Sequence, residues 1–285
     1  MFNKNLPVLE RWANFLLLEG KKEGTIKNYV NILNCLKKQK SNLFKITKED
    51  IMEHLSTKNS PNTVRTNYAA IAAFYNWAME EGYVRHHPWP VWRSRPAAKR
   101  KTTYLTEEAI ETISAWFQKR EVRHRERDYI LFRFMLGTGL RVSEANSTRY
   151  ENINWNKSGV WVTRKGGKRQ FIYIVSKTRE LLKEYCQKKG ITEGFLFRGR
   201  DDYKVSYRTI NRVFKQAEIE TGIEITPHVL RHTYAIHCLN EGGMSLPALQ
   251  QQLGHEDIST TMIYAKILDE NQKAEVQEKT PGVLL

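Results

Sequence analysis

Apolar side chains recur at helical spacing along nearly all of this 285-residue chain, and only one stretch is built like paired strands. That stretch is Gly159-Val-Trp-Val-Thr-Arg, followed after Lys165 by Gly166-Gly167, and then Arg169-Gln-Phe-Ile-Tyr-Ile. Two glycines between β-rich runs predict a hairpin with a tight primed turn. The fold is therefore expected to be mainly α with a small β-hairpin or sheet.

The first 92 residues read as a small helical bundle. One stripe runs through Val8, Trp12, Phe15 and Leu16 and stops at Gly20. A second follows Thr25, its expected N-cap, through Ile26, Tyr29, Val30, Leu33 and Leu36. A third opens with the near capping box of Thr47 and Asp50 and runs to about Leu55. The fourth has Ser60 as cap, Pro61 at its first position, and Val64 to Ala78 facing inward until Gly82. Residues 93–104, with five basic side chains and a proline but no apolar period, read as a linker. They are either a solvated tether or a strap along phosphates, and the two are compatible. A mixed α+β domain then spans 105–285, with helices expected near 106–119, 126–136, 141–147, 176–189, 206–221, 227–241, 245–253 and 258–268.

Lys and Arg number 46 against 31 Asp and Glu, a net charge of +15. The excess is +10 in residues 1–104 and +5 in 105–285. Such a balance favours a polyanionic partner. Cys35, Cys186 and Cys238 form no C-x-x-C pair, and their odd number fits a reducing cytoplasm. No stretch reaches the roughly 18 apolar residues of a membrane span, so no membrane is expected.

Thr226 and Pro227 begin a helix that puts His228 and Arg231 at i,i+3 spacing, with a phosphate favoured at its N-terminus. His232, four residues from His228, raises the question of zinc. H-V-L-R-H lacks the glutamate of H-E-x-x-H, no third ligand stands nearby, and an arginine shares the face. His232 is read as a packed residue, and neither metal nor cofactor is expected.

G-T-G-L-R-V-S-E at 137–144, R-K-G-G-K at 164–168, H-V-L-R-H at 228–232, L-G-H at 253–255 and then Tyr264 follow one another in this order. Together they resemble the active site of the tyrosine recombinases, the phage integrase family, and the chain is similar to its simple Xer-like members. The resemblance implies a SAM-like core-binding domain in 1–92 that closes a clamp on DNA, and a catalytic domain in 105–285. It implies that Arg141 and Arg231 hold the scissile phosphate, with His228 and His255 beside them. Tyr264 is the implied nucleophile, forming a 3′-phosphotyrosine and freeing a 5′-hydroxyl. Lys165, which precedes the first turn glycine, is the implied general acid, with Lys168 on the DNA backbone. Glu144 matches a carboxylate position and is read as support for Arg141.

Arginine suits the phosphate role because its planar fork stays charged and donates two parallel bonds. A phenol of pKa about 10 needs a base or a cationic pocket to attack. Arg169, with Arg93, Arg95, Lys99, Arg100 and Lys101 of the linker, is expected on DNA. Two departures from the family pattern stand out, Ala145 in place of a usual leucine and the basic run from Lys119 to Arg127. Double-stranded DNA carrying recombination sites is the expected substrate, with exchange through a Holliday junction. The resemblance also implies a tetramer on DNA, a monomer or weak oligomer off it, and docking of the tail after Tyr264 on a neighbour. It leaves open a partner recombinase or accessory protein. The competing readings are a type IB-like topoisomerase and a non-catalytic DNA-binding protein of the same fold.

Overall fold

The computed structural model describes residues 7–92, 103–164 and 167–254. The chain divides into two compact units, Met1–Arg100 and Lys101–Leu285. Most of the expected linker, residues 93–102, and the expected helix near 258–268 lie outside the described residues.

The first unit consists of α1 (Val8–Leu18), α2 (Glu23–Gln39), α3 (Lys48–Ser56) and α4 (Pro61–Glu80). Its core gathers Trp12, Leu33, Leu36, Ile51, Ile71 and Phe74, all fully buried. Each contributes roughly 1.5–3 kcal/mol by leaving water. Trp12 packs edge-on against Phe74 with ring centroids 5.3 Å apart. The caps expected for α3 and α4 are present: Thr47 and Asp50 form a reciprocal capping box, and Ser60 accepts from the Thr63 amide at 3.1 Å. Thr25 is not the cap of α2. That helix begins three residues earlier, with Lys22 at the cap position and the Thr25 amide already bonded to the Lys22 carbonyl at 2.9 Å. Glu23 in the first turn complements the helix dipole there.

The second unit is built on α6 (Arg125–Thr138), buried on several faces by Ile130, Leu131, Phe132, Phe134 and Met135. Around it pack α5 (Glu107–Lys119), α8 (Ser176–Lys189) and α10 (Pro227–Asn240), and α9 (Tyr207–Thr221) lies against α5. A helix shorter than expected, α7 (Val142–Ala145), follows α6. It stops after one turn because Thr148 returns its hydroxyl to the Glu144 carbonyl at 3.1 Å and Asn146 donates to the Val205 carbonyl at 3.0 Å. Finally, α11 (Leu246–Leu253) rests on α10 through a small cluster of Ala235, Ile236, Leu239, Leu249 and Leu253.

The sheet has three antiparallel strands in the order β1 (Ile153–Asn154), β2 (Gly159–Thr163), β3 (Arg169–Tyr173). β1 was not expected from the sequence, being only two residues long. The turn between β2 and β3 also differs. Thr163 pairs with Arg169, and the Arg164 amide donates to the Lys168 carbonyl at 2.8 Å. Three residues, 165–167, therefore lie between the paired positions, one more than a primed Gly-Gly turn has. Inward-facing residues of β2 alternate as the pleat requires, Val160 and Val162 buried, Trp161 and Thr163 exposed. Arg164 continues the inward face.

Candidate active site

The G-T-G-L segment works as a hinge between helices. Gly139 closes α6 in the left-handed conformation, at φ +64°. A Cβ there would stand 2.5 Å from the Tyr234 ring and 2.8 Å from Leu253, so only glycine allows α10 and α11 this close. Arg141, two residues on, takes the cap position of α7. Its backbone amide donates to Glu144 Oε2 at 2.8 Å, and its Nη1 to Oε1 at 3.1 Å. The Glu144 side chain is 5% exposed while that of Arg141 is 40% exposed, so the carboxylate is sunk beneath a guanidinium whose outer edge stays open.

Thr226 caps α10 as expected, accepting from the Val229 amide at 3.1 Å, with Pro227 at the first position. His228 is exposed on the first turn and Arg231 is buried, so the pair at i,i+3 points one side chain outward and one into the unit. Arg231 Nη1 donates to the Gly139 carbonyl at 2.8 Å and Nη2 to the Leu253 carbonyl at 2.9 Å. One guanidinium thus ties the turn before Arg141 to the end of α11. His232 is half-buried. Burial holds its ring below the ordinary pKa, with the charges of His228 and Arg231 acting in the same direction.

Arg164 was passed over in the sequence, although it stands in R-K-G-G-K. It is 8% exposed. Nη1 donates to Glu144 Oε2 at 2.6 Å, Nε to Gln170 Oε1 at 2.8 Å, and Nη2 to the Gln252 carbonyl at 2.8 Å. The signal that could have found it is the β2 alternation, which puts an arginine at an inward position where only a carboxylate or carbonyls can satisfy it. Gln170 adds a bond to the Gln251 carbonyl, and Gln252 exchanges bonds with Tyr173 across to β3. Gly254 ends α11 in the left-handed conformation, where a Cβ would lie 2.6 Å from Arg164 Nε.

A cleft of about 660 Å³ opens beside these groups, lined by Arg141, Ser143, Glu144, Ser147, Thr163 and Arg164. Lys204 reaches its rim, donating to Ser147 Oγ at 2.8 Å. Lys168 and Arg169 are exposed on the hairpin, the latter with its guanidinium 5.4 Å from the Trp161 ring centroid. Among the described residues the structure joins Arg141, Glu144, Arg164 and Arg231 with the chain just before position 255. Lys165, His255, Tyr264, Arg93, Arg95, Lys99, Arg100 and Lys101 lie outside the described residues. Among those described, no group of three or more His, Cys, Asp or Glu is placed to hold a metal ion, and no helix is long and apolar enough to cross a membrane.

Residues 103–271 match the model of the phage integrase family, and residues 18–100 that of the phage integrase SAM-like domain. The chain is 30% identical over 275 residues to the tyrosine recombinase XerA of Pyrococcus furiosus, covering 95% of this chain and 93% of that protein. Its fold is similar to a lambda integrase dimer bound to a COC′ core site, with TM-score 0.72 and 19% identity over 90% of this chain and 75% of that one. It is also similar to a lambda integrase tetramer bound to a Holliday junction, with TM-score 0.70 and 18% identity over 88% and 76% of the two chains. The chain belongs to the phage integrase family, the tyrosine recombinases.

Proposed function

We propose that this tyrosine recombinase cuts and rejoins DNA at specific sites through a phosphotyrosine at Tyr264. The observation that carries the reading is the pair of bonds from Arg231 to Gly139 and Leu253. They draw the segment of Arg141 and the end of α11 to one place, although the sequence separates them by over a hundred residues.

In this reading the Tyr264 phenol gives its proton to His228, its oxygen bonds to phosphorus, and the bond from phosphorus to the 5′-oxygen breaks. Lys165 gives its proton to that leaving oxygen. Arg141 and Arg231 stabilise the charge on the non-bridging oxygens, with His228 and His255 alongside. One phosphodiester is exchanged for another, so the 5′-hydroxyl of a second strand can reverse the step on the tyrosyl phosphate without a nucleotide. Glu144 supports Arg141 from below and does not meet the phosphate. Lys168, Arg169 and the linker cations Arg93, Arg95, Lys99, Arg100 and Lys101 would neutralise backbone phosphates. The likeness to a lambda integrase tetramer on a Holliday junction supports four copies acting on two duplexes. The three free cysteines support action in the cytoplasm.

A nicked suicide duplex, from which the cut 5′ fragment is lost, tests this reading. The wild-type chain is expected to accumulate a covalent protein–DNA adduct in the presence of EDTA, and Tyr264→Phe to bind the duplex without forming one. Plasmid relaxation at many sequences by a single copy would favour a topoisomerase instead.

A further inference from the structure

Arg164 is a buried cation that no step above uses. Its three bonds go to three separate elements: Glu144 on α7, Gln170 on β3 and the Gln252 carbonyl on α11. By chain order it stands next to Lys165, and its contact at Gly254 stands next to His255. On the proposed function as foundation, we propose that Arg164 is a positioning residue for strand cleavage. It takes up the charge of Glu144 so that Arg141 remains available to the phosphate, and it fastens the hairpin to the end of α11.

The electrostatic part follows from the contacts. The Glu144 carboxylate is almost completely buried and holds both the amide and Nη1 of Arg141. With no other cation nearby, such a carboxylate would cancel the charge of Arg141 and compete with substrate oxygens for its donors. Arg164 makes the shortest of the carboxylate's contacts, at 2.6 Å. The trio of two arginines and one glutamate keeps a net positive charge, and of its three side chains along the cleft only that of Arg141 is substantially exposed. The geometric part rests on the fork. A lysine could reach Glu144 or the Gln252 carbonyl, but one ammonium cannot span both in fixed directions.

The test uses the full chain and a nicked duplex spanning a phosphate that the wild-type protein cleaves. Single-turnover adduct formation at saturating protein is measured beside the Kd for the same duplex. Arg164→Met is expected to slow adduct formation about 10²-fold, the scale of a small misplacement at a reacting centre, with Kd unchanged. Adding Glu144→Gln to that variant removes the uncompensated charge and should recover at least about tenfold of the rate. Arg164→Lys should fall between wild type and Arg164→Met. A merely structural arginine would not be rescued by taking away its partner's charge. Wild-type cleavage by Arg164→Met overturns the proposal. So does a loss of Kd in step with the rate, or a double variant no faster than the single. Where Arg164→Met fails to fold, the double variant decides: folding with cleavage supports the proposal, and failure of both refutes it. Absence of any adduct with wild type would overturn the proposed function itself, and this proposal with it. Loss of the adduct in Tyr264→Phe alone keeps the two outcomes apart.

Discussion

Arg141 and Arg231 are assigned one chemical duty but sit in opposite surroundings, and substitution should separate the two. Arg231 is buried and satisfies the carbonyls of Gly139 and Leu253. Removing it strands both acceptors, at about 1–3 kcal/mol each. Arg231→Ala should therefore lower the urea midpoint substantially as well as abolish the adduct. Arg141 is partly open and its carboxylate partner retains Arg164. Arg141→Ala should abolish the adduct while changing stability by no more than about 1 kcal/mol. Equal stability losses in urea denaturation would contradict this division. At this scale the sequence revealed Arg141, Glu144 and Arg231 through their local frames, because each frame dictates a turn or a cap. It did not reveal Arg164, whose meaning depends on α7 and α11, elements 20 and 88 residues away along the chain.

At the level of elements, the helix starts with a side-chain cap were legible, as at Ser60-Pro61 and Thr226-Pro227, because capping is local chemistry. The start of α2 was not, since Lys22 makes no side-chain cap bond that the sequence could announce. The hairpin was legible as a hairpin, but not the length of its turn, which strand register sets. α11 ends at Gly254 as expected, and there a tertiary constraint joins the local one. Gly254→Ala would force a left-handed alanine against the Arg164 guanidinium. It should cost more than about 1 kcal/mol and slow adduct formation, whereas an unchanged urea midpoint would sink this view of the contact.

The first unit makes a separate statement about pH. His54 on α3 is buried, its ring nitrogens 2.9 Å from Gln39 Oε1 and 3.0 Å from Asn67 Oδ1. Burial holds its pKa below the ordinary value, with Lys58 adding to the effect and the bond to Asn67 opposing it. A histidine lowered in the folded state is protonated more readily when unfolded. Its contribution is therefore complete above the unfolded pKa of about 6.5 and is lost as pH falls from there towards the folded value. His87 in the same unit is shifted the same way by burial. Amide exchange in α3 and α4 should lose protection as pH falls below about 6.5, and His54→Gln should flatten part of that slope. Protection that grows on acidification would contradict the sign.

For the molecule as a whole, charge and order of motifs said the most. The net charge of +15 predicts binding dominated by release of counterions from phosphates. If 6–10 phosphates are neutralised, DNA affinity should fall by about 10³–10⁵ between roughly 50 and 200 mM salt. A flat salt profile would remove phosphate contact as the main source of affinity. Part of the basic excess serves the fold instead. Arg127, at the end of the basic run, is buried against Asp128 at 2.6 Å and the Arg198 carbonyl at 2.9 Å. Composition could not separate such structural cations from those left to meet DNA.

The claim on which the chemistry turns is that one phenol carries the DNA. The adduct trapped on a nicked duplex can be digested with trypsin and nuclease, and the modified residue located by mass spectrometry. The account predicts a nucleotide phosphate on Tyr264, in the peptide ending at Lys266. A nucleotide on any other side chain, or cleaved DNA with none attached, would contradict it.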